Sequence, residues 1–206
     1  MKIKLCGLTR SQDILAANDC LPDYIGFVFA NSRRQVTPRR AYELRTLLDS
    51  RIQAVGVFVN ASVEEIAALY DEGIIDFAQL HGDEDAAYLS ALRSICPCPI
   101  IKAVRVSEKR DILKAQTLLS DFLLLDTYVQ GQMGGSGKSF HHGLIPPLNK
   151  PFFLAGGISA HNLVQAMRAN PYALDVSSGI ETDGSKDAQK MVELTRLVKS
   201  CGALIK

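Results

Sequence analysis

The chain has no CxxC pair, no excess of either charge, no apolar run long enough to cross a membrane, and neither a GxGxxG nor an HExxH pattern. Each absence closes a class. Five cysteines, at positions 6, 20, 96, 98 and 201, are odd in number and scattered, which argues against a disulfide framework and fits a reducing cytoplasm. A net charge of +1 supplies no general field for nucleic acid or an anionic membrane, so an anionic ligand has to be held by local donors. The opening MKIKLCGLTR lacks the apolar core of a signal peptide, and a cytoplasmic protein with no membrane or nucleic-acid partner is expected. His141 and His142 stand side by side without an HxH spacing, so no metal centre is expected. No nucleotide or flavin motif is present, so no cofactor is expected, and Cys96-Pro97-Cys98 reads as a structural loop.

What is present is a regular alternation. At 206 residues, 47% of them hydrophobic, the chain is long enough for one domain with a large core, and residues 1–206 are expected to form it. Eight strand-like segments stand out: Ile3 to Cys6, Tyr24 to Phe29, Gln53 to Val59, Asp76 to Leu80, Ile100 to Val106, Phe122 to Asp126, Phe152 to Ala155 and Ala173 to Ser177. Their spacing, roughly 22 to 29 residues, is what a strand, a loop and a helix require. Helix starts are marked by the capping-box pairs Thr9 with Gln12 and Ser62 with Glu65, and by Thr37 before Pro38, an N-cap with proline in the first turn. Helices are also expected after Ser107, Ser159 and Asp187. Leu44, Leu47 and Leu48 share one face, as do Ile112, Leu113, Leu118 and Leu119, and Leu163, Val164 and Met167. Prolines at 146, 147 and 151 leave room for a sixth helix of little more than one turn. The fold class is therefore α/β, a single-domain (β/α)8 TIM barrel with a short sixth helix. An open doubly wound sheet is the alternative, but it manages with fewer strands and its first loop resembles GxGxxG, whereas here it is CGLTR.

A barrel brings every strand's carboxyl end to one rim. The sixth segment, FLLLDT, ends abruptly in Asp126 and runs into a loop with Gly134, Gly135 and Gly137, a candidate lid over a ligand or simply a connector. The other strand ends supply Cys6, the Ser32 to Arg34 loop, Asn60, His81, Arg105, Gly156 with Gly157, and Ser177 with Ser178. Each has a bland explanation as well. A cysteine at a strand end is a common inert core residue, His81 could pin a loop, Arg33 and Arg34 could be a solvated pair, and Asn60 could order the third loop. Convergence on one rim favours a site. AGGIS and SSGIE offer glycine-exposed N–H groups in the seventh and eighth loops, the pair that binds phosphate in many barrels.

Taken together, KLCGLTR, GFVFANSRRQV, VGVFVN, QLHGDE, IIKAVRV, LLLDT with GGSGKSF, FFLAGGIS and LDVSSGIE resemble the phosphoribosylanthranilate isomerase family over essentially the whole chain. The resemblance implies an Amadori rearrangement of a phosphosugar, N-(5-phosphoribosyl)anthranilate, on a metal-free and cofactor-free barrel in tryptophan biosynthesis, as a monomer or homodimer. It implies Cys6 as base, Asp126 as acid, Arg34 at the anthranilate carboxylate, and Gly156, Gly157, Ser178 and Gly179 at the phosphate. Asp175 and His81 match positions near the family's site. His141 and His142 depart from it, standing where the family has an acidic or amide residue and then an aromatic.

Two other functions fit the same barrel. A Schiff-base aldolase or synthase would need a lysine in the mouth, for which Lys102 is the candidate, and a non-catalytic phosphosugar-binding barrel would need no acid–base pair.

Overall fold

The computed structural model describes residues 1–127 and 144–202. Eight parallel strands close into a barrel in sequence order, β8 pairing back onto β1. They are β1 (Lys2–Cys6), β2 (Tyr24–Val28), β3 (Gln53–Phe58), β4 (Phe77–Leu80), β5 (Ile100–Val106), β6 (Phe122–Thr127), β7 (Phe152–Leu154) and β8 (Ala173–Val176). Each lies where an apolar run had marked it, to within a residue or two at either end. The TIM-barrel expectation holds and the open sheet is excluded. Helices α1 (Ser11–Cys20), α2 (Pro38–Arg45), α3 (Val63–Asp71), α4 (Ala86–Ile95) and α5 (Lys109–Ala115) follow the first five strands, and α6 (Leu163–Arg168) and α7 (Ala188–Gly202) the last two. The candidate lid glycines Gly134, Gly135 and Gly137 and the pair His141 and His142 lie outside the described residues. Of the stretch from Gly143 to Pro151, where a short sixth helix is expected, only Gly143 lies outside them as well, and residues 145–151 carry no helix.

The caps show which local signals operate. Thr37 Oγ1 accepts the N–H of Arg40 at 3.2 Å ahead of Pro38, and Ser62 Oγ accepts that of Glu65 at 3.2 Å. The Thr9 and Gln12 pair does not cap α1. Asp13 does so instead, reaching back to the N–H groups of Thr9 and Arg10 at 3.0 and 2.9 Å. Asp111 plays the same part for Ser107 and Glu108 at α5. A carboxylate in the first turn satisfies orphan donors and is favoured by the helix dipole. Helix α6 starts four residues after Ser159, because Asn162 closes the turn between them, accepting from Ser159 N and donating to Gly157 O. Helices α2 and α5 also stop early, so Leu47 and Leu119 are exposed rather than on a buried face, and Val164 is exposed beside buried Leu163 and Met167.

Two layers fill the space within and around the strands. The helices bury Ile14, Leu44, Ile66, Leu92 and Met191 against the outer face of the sheet. Inside the barrel, the strands' amino-terminal ends are plugged by aromatics. Tyr24 meets Phe77 and Phe153 edge-on at 5.5 and 5.4 Å, an arrangement that aligns ring edges with ring faces. Toward the carboxyl ends the interior turns polar. Lys4, Gln79 and Asp175 are buried there, Lys4 being paired in register with Asp175 across β1 and β8.

Candidate active site

Alternation along β1 turns Lys4 and Cys6 to the same face, and the same parity brings in Gln79 with His81, and Asp175 with Ser177. These side chains meet at the carboxyl-terminal mouth in a cavity of about 150 Å³ lined by Cys6, Arg34, His81, Asp126, Gly156, Gly157, Asp175 and Ser178 among others. Eight of the nine candidates for catalysis and substrate or phosphate binding therefore line one space. Gly179 does not line it. A Cβ on Gly179 would sit 2.0 Å from the carbonyl oxygen of Ile158, so this glycine lets the seventh and eighth loops pack together. A larger open groove, about 810 Å³, lies at the opposite rim around residues 145–152 and Arg168–Tyr172. It is remote from the converging groups, on the barrel face where sequence serves stability.

Cys6 ends β1 and Asp126 lies near the end of β6, with β7 and β8 between them on the shorter arc of the ring. Gly26 on β2 makes the room for the thiol, since a Cβ there would lie 2.6 Å from Cys6 Sγ. Beneath the thiol sits Lys4, wholly buried. A buried ammonium is tolerable only with all three donors satisfied. Here they reach Cys6 Sγ at 3.3 Å, Gln79 Oε1 at 2.8 Å and the Asp175 carboxylate at 3.0 and 3.1 Å. Burial opposes the charge on Lys4, yet Asp175 and then Cys6 outweigh it, and its pKa is raised. For Cys6 the contest goes the other way. Burial pushes the thiol up, the Lys4 and Lys186 ammoniums pull it down and Asp175 pushes it up, leaving it above its ordinary value.

The polar chain continues across the mouth. Gln79 Nε2 lies 2.9 Å from His81 Nδ1, and His81 Nε2 lies 3.4 Å from Asp126 Oδ2. Cys6 and Asp126 thus stand at the two ends of one line of contacts through Lys4, Gln79 and His81.

Arg34 is not half of a solvated pair. Its Nε and Nη2 donate to the two oxygens of Glu181 at 2.7 and 3.1 Å, and Arg33 Nη2 shares the second oxygen at 2.7 Å. Glu181 opens a small hairpin formed by β9 (Glu181–Thr182) and β10 (Ser185–Lys186). It also accepts from Lys186 Nζ at 2.8 Å. Burial resists ionisation of Glu181, but hydrogen bonds from Arg34 and Lys186 prevail and hold its carboxyl at about 2. The Arg34 side chain passes directly over Gly7, where a Cβ would meet its Cδ at 2.5 Å and φ is +82°.

The seventh and eighth loops form a cradle of donors. Gly156 and Gly157 adopt φ of 93° and 64°, the left-handed region that glycine enters without strain. Among the described residues, the backbone N–H groups of Gly156, Gly157, Ser178 and Gly179 have no acceptor within the protein. Successive unspent N–H groups in a concavity suit an anion with several oxygens.

Lys4, Gln79, Gly26, Glu181 and Lys186 were not among the expected site residues, although strand parity with Cys6 and His81 marks the first two. Lys102 is excluded as a Schiff-base lysine in the mouth. It does not line the cavity, and its Nζ is held by Glu84 at 2.6 Å and Gly82 O at 2.9 Å. Glu84 in turn accepts the backbone N–H of Asn60 at 2.8 Å, and Asn60 Oδ1 accepts that of Asp83 at 2.9 Å, so Asn60 ties the third loop to the fourth.

Residues 3–196 match the sequence profile described as N-(5'phosphoribosyl)anthranilate (PRA) isomerase. The chain belongs to the phosphoribosylanthranilate isomerase family. A relative of that name from Endomicrobium trichonymphae is 45% identical over 200 residues, covering 97% of this chain and 98% of its own. Another, from Thermoanaerobacter sp. strain X514, is 41% identical over 97% of this chain and 98% of its own. The crystal structure of the isomerase from Thermus thermophilus superimposes with a TM-score of 0.86 at 32% identity, covering 98% of this chain and 100% of that one. A further solved isomerase, 28% identical with a TM-score of 0.79 over 97% of this chain and 99% of its own, is in complex with reduced 1-(o-carboxyphenylamino)-1-deoxyribulose 5-phosphate. The isomerase family's fold therefore extends along the full length of the described barrel.

Proposed function

We propose that this protein converts N-(5-phosphoribosyl)anthranilate to 1-(2-carboxyphenylamino)-1-deoxy-D-ribulose 5-phosphate in tryptophan biosynthesis, acting in the cytoplasm, with Cys6 as general base and Asp126 as general acid. The observation that carries the reading is the convergence of a thiol from β1 and a carboxyl group from β6 on one cavity that also holds unspent backbone donors and an anchored arginine.

That placement supports an acid–base path. Asp126 gives its proton to the ring oxygen of the ribosyl group, the C1–O bond breaks, and the anthranilate nitrogen lone pair forms the C1=N bond. Cys6 as thiolate then takes the C2 proton. The C2–H electron pair becomes the C1=C2 bond and the C1=N electrons return to nitrogen. The resulting enolamine becomes the product ketone as its enol proton is lost and C1 gains one. Acid and base act at different atoms of the sugar, which suits groups approaching from different sides of the mouth, and each contributes about 10² to 10⁴ in rate. The phosphate rests on the Gly156, Gly157, Ser178 and Gly179 donors. Arg34 meets the anthranilate carboxylate with its Nη1 edge, or with the Glu181-bound edge after exchange.

The test is direct. Purified protein added to freshly generated phosphoribosylanthranilate should abolish its fluorescence with saturation kinetics and yield the ribulose product. Binding without turnover, under conditions where the substrate persists, would make the chain a phosphosugar-binding barrel instead.

A further inference from the structure

We infer that Lys4, acting through Gln79, fixes the proton of His81 on Nε2, so that His81 faces Asp126 as an un-ionised donor; Lys4 and Gln79 are positioning residues for the acid half of the reaction. The catalytic consequence rests on the isomerase reading above. The tautomer rests on hydrogen-bond logic alone.

An ammonium has three donors and no acceptor. Lys4 Nζ lies 2.8 Å from one end of the Gln79 amide, so that end has to be the carbonyl oxygen. The assignment does not depend on telling oxygen from nitrogen by shape, because the reverse would press two donors together at 2.8 Å, too close for a water to lie between them. With Oε1 committed to Lys4, the amide nitrogen is what stands 2.9 Å from His81 Nδ1. An amide nitrogen only donates, so Nδ1 has to accept and carries no hydrogen. The ring proton is then on Nε2, which lies 3.4 Å from Asp126 Oδ2. An imidazolium is disfavoured by the same argument, since it would set Nδ1–H against the amide N–H.

The direction of this chain matters for the chemistry. A cation beside Asp126 would favour its ionised form, the form that cannot give a proton to the sugar ring. A neutral N–H at 3.4 Å leaves the carboxyl able to hold the proton it must deliver. The same arrangement removes His81 as a rival base, because its lone pair is directed at Gln79 and not into the cavity. Lys4 therefore serves both ends of the site. One N–H goes to the thiol and another, relayed by the amide, sets the imidazole.

Long-range proton–nitrogen NMR of protein labelled with ¹⁵N in histidine rings tests this without substrate, the His81 signals being identified by their loss in His81→Asn. At pH 8 the wild type should show a pyridine-type Nδ1 and a pyrrole-type Nε2, one tautomer in excess by better than about tenfold. Gln79→Glu places an acceptor where the amide donor was, and Nδ1 should become pyrrole-type. Gln79→Leu imposes neither choice, so the two tautomers should mix, and kcat should fall about tenfold or more while KM moves little. A proton on Nδ1 in the wild type overturns the inference whether or not any variant folds. Mixed tautomers in Gln79→Leu with kcat unchanged overturn the positioning role. If the isomerase reading itself is wrong, the sign is different: a silent assay beside an imidazole protonated at Nε2.

Discussion

Gly26→Ala adds a single methyl group at the one place where β2 yields space to Cys6. The added Cβ would lie 2.6 Å from Sγ and 3.2 Å from the Cys6 Cα, whereas ordinary contact begins at 3.4 Å. The difference of 0.8 Å between 3.4 and 2.6 Å is the distance by which the sulfur has to retreat. Overpacking of this kind costs about 1 to 3 kcal/mol, which for a chain of this size lowers Tm by roughly 2 to 4 °C for each kcal/mol. Its effect on turnover should be larger. Misplacing a reacting group by about 1 Å costs on the order of 10² in rate, so kcat should drop between about 30-fold and 100-fold, with KM nearly unchanged because the phosphate cradle and Arg34 are untouched. Steady-state kinetics and a thermal melt on the same preparation separate the two effects. If Tm falls as stated while kcat stays within about twofold of wild type, the thiol's position is irrelevant to turnover, and the reasoning that makes Cys6 the base fails.

Arg34→Ala should lower kcat/KM by roughly one to two decades, the worth of a charge-assisted contact of about 1.5 to 3 kcal/mol. Arg33→Ala should cost far less, because Arg33 only shares the second oxygen of Glu181 and is mostly exposed; equal losses at the two positions would refute the assignment. Glu181→Ala removes the anchor but not the guanidinium charge, so its loss in kcat/KM should fall between those two, and a value as low as that of Arg34→Ala would mean that Glu181 itself handles substrate. In the folded protein the Glu181 carboxyl is held at about 2, below its unfolded value of about 4.3. Its contribution to stability is therefore complete above that unfolded value and lost as the pH falls toward about 2. Acid denaturation of Glu181→Gln should accordingly show a shallower loss of stability in that window than wild type, and identical profiles would contradict the bonding described.

Much of the site was legible because barrel geometry turns strand ends into neighbours. Apolar runs stopped by a polar residue marked Cys6, His81 and Asp126, and glycine-rich turns marked the cradle. Lys4 was not legible as a site residue. A lysine near the start of a short strand reads as a solvated end, and only closure of the barrel shows that its parity with Cys6 carries it inside to meet Asp175 and Gln79. Glu181 was hidden for a different reason: its bond to Arg34 spans 147 residues of sequence, beyond any local pattern. The cap of α1 was misread because its signal lay in a carboxylate inside the first turn, at Asp13, instead of in the Thr9 hydroxyl ahead of the helix. Leu47 and Leu119 kept their helical spacing after the helices had stopped, so periodicity alone placed them in a face they do not share.

The central claim is that Cys6 and Asp126 are the base and the acid of one reaction. The pH dependence of kcat/KM for wild type, Cys6→Ser and Asp126→Asn addresses it most directly. Wild type should give a bell, because turnover needs Cys6 ionised and Asp126 protonated in the same molecule. Because burial raises the thiol more than Lys4 and Lys186 lower it, thiol ionisation should extend above the ordinary thiol value. Cys6→Ser should lose about 10² or more in kcat with KM little changed, and the thiol ionisation should vanish from its profile. Asp126→Asn should lose the acid's ionisation and most of the rate. Near-normal turnover by Cys6→Ser, with the wild-type profile retained, would contradict the account.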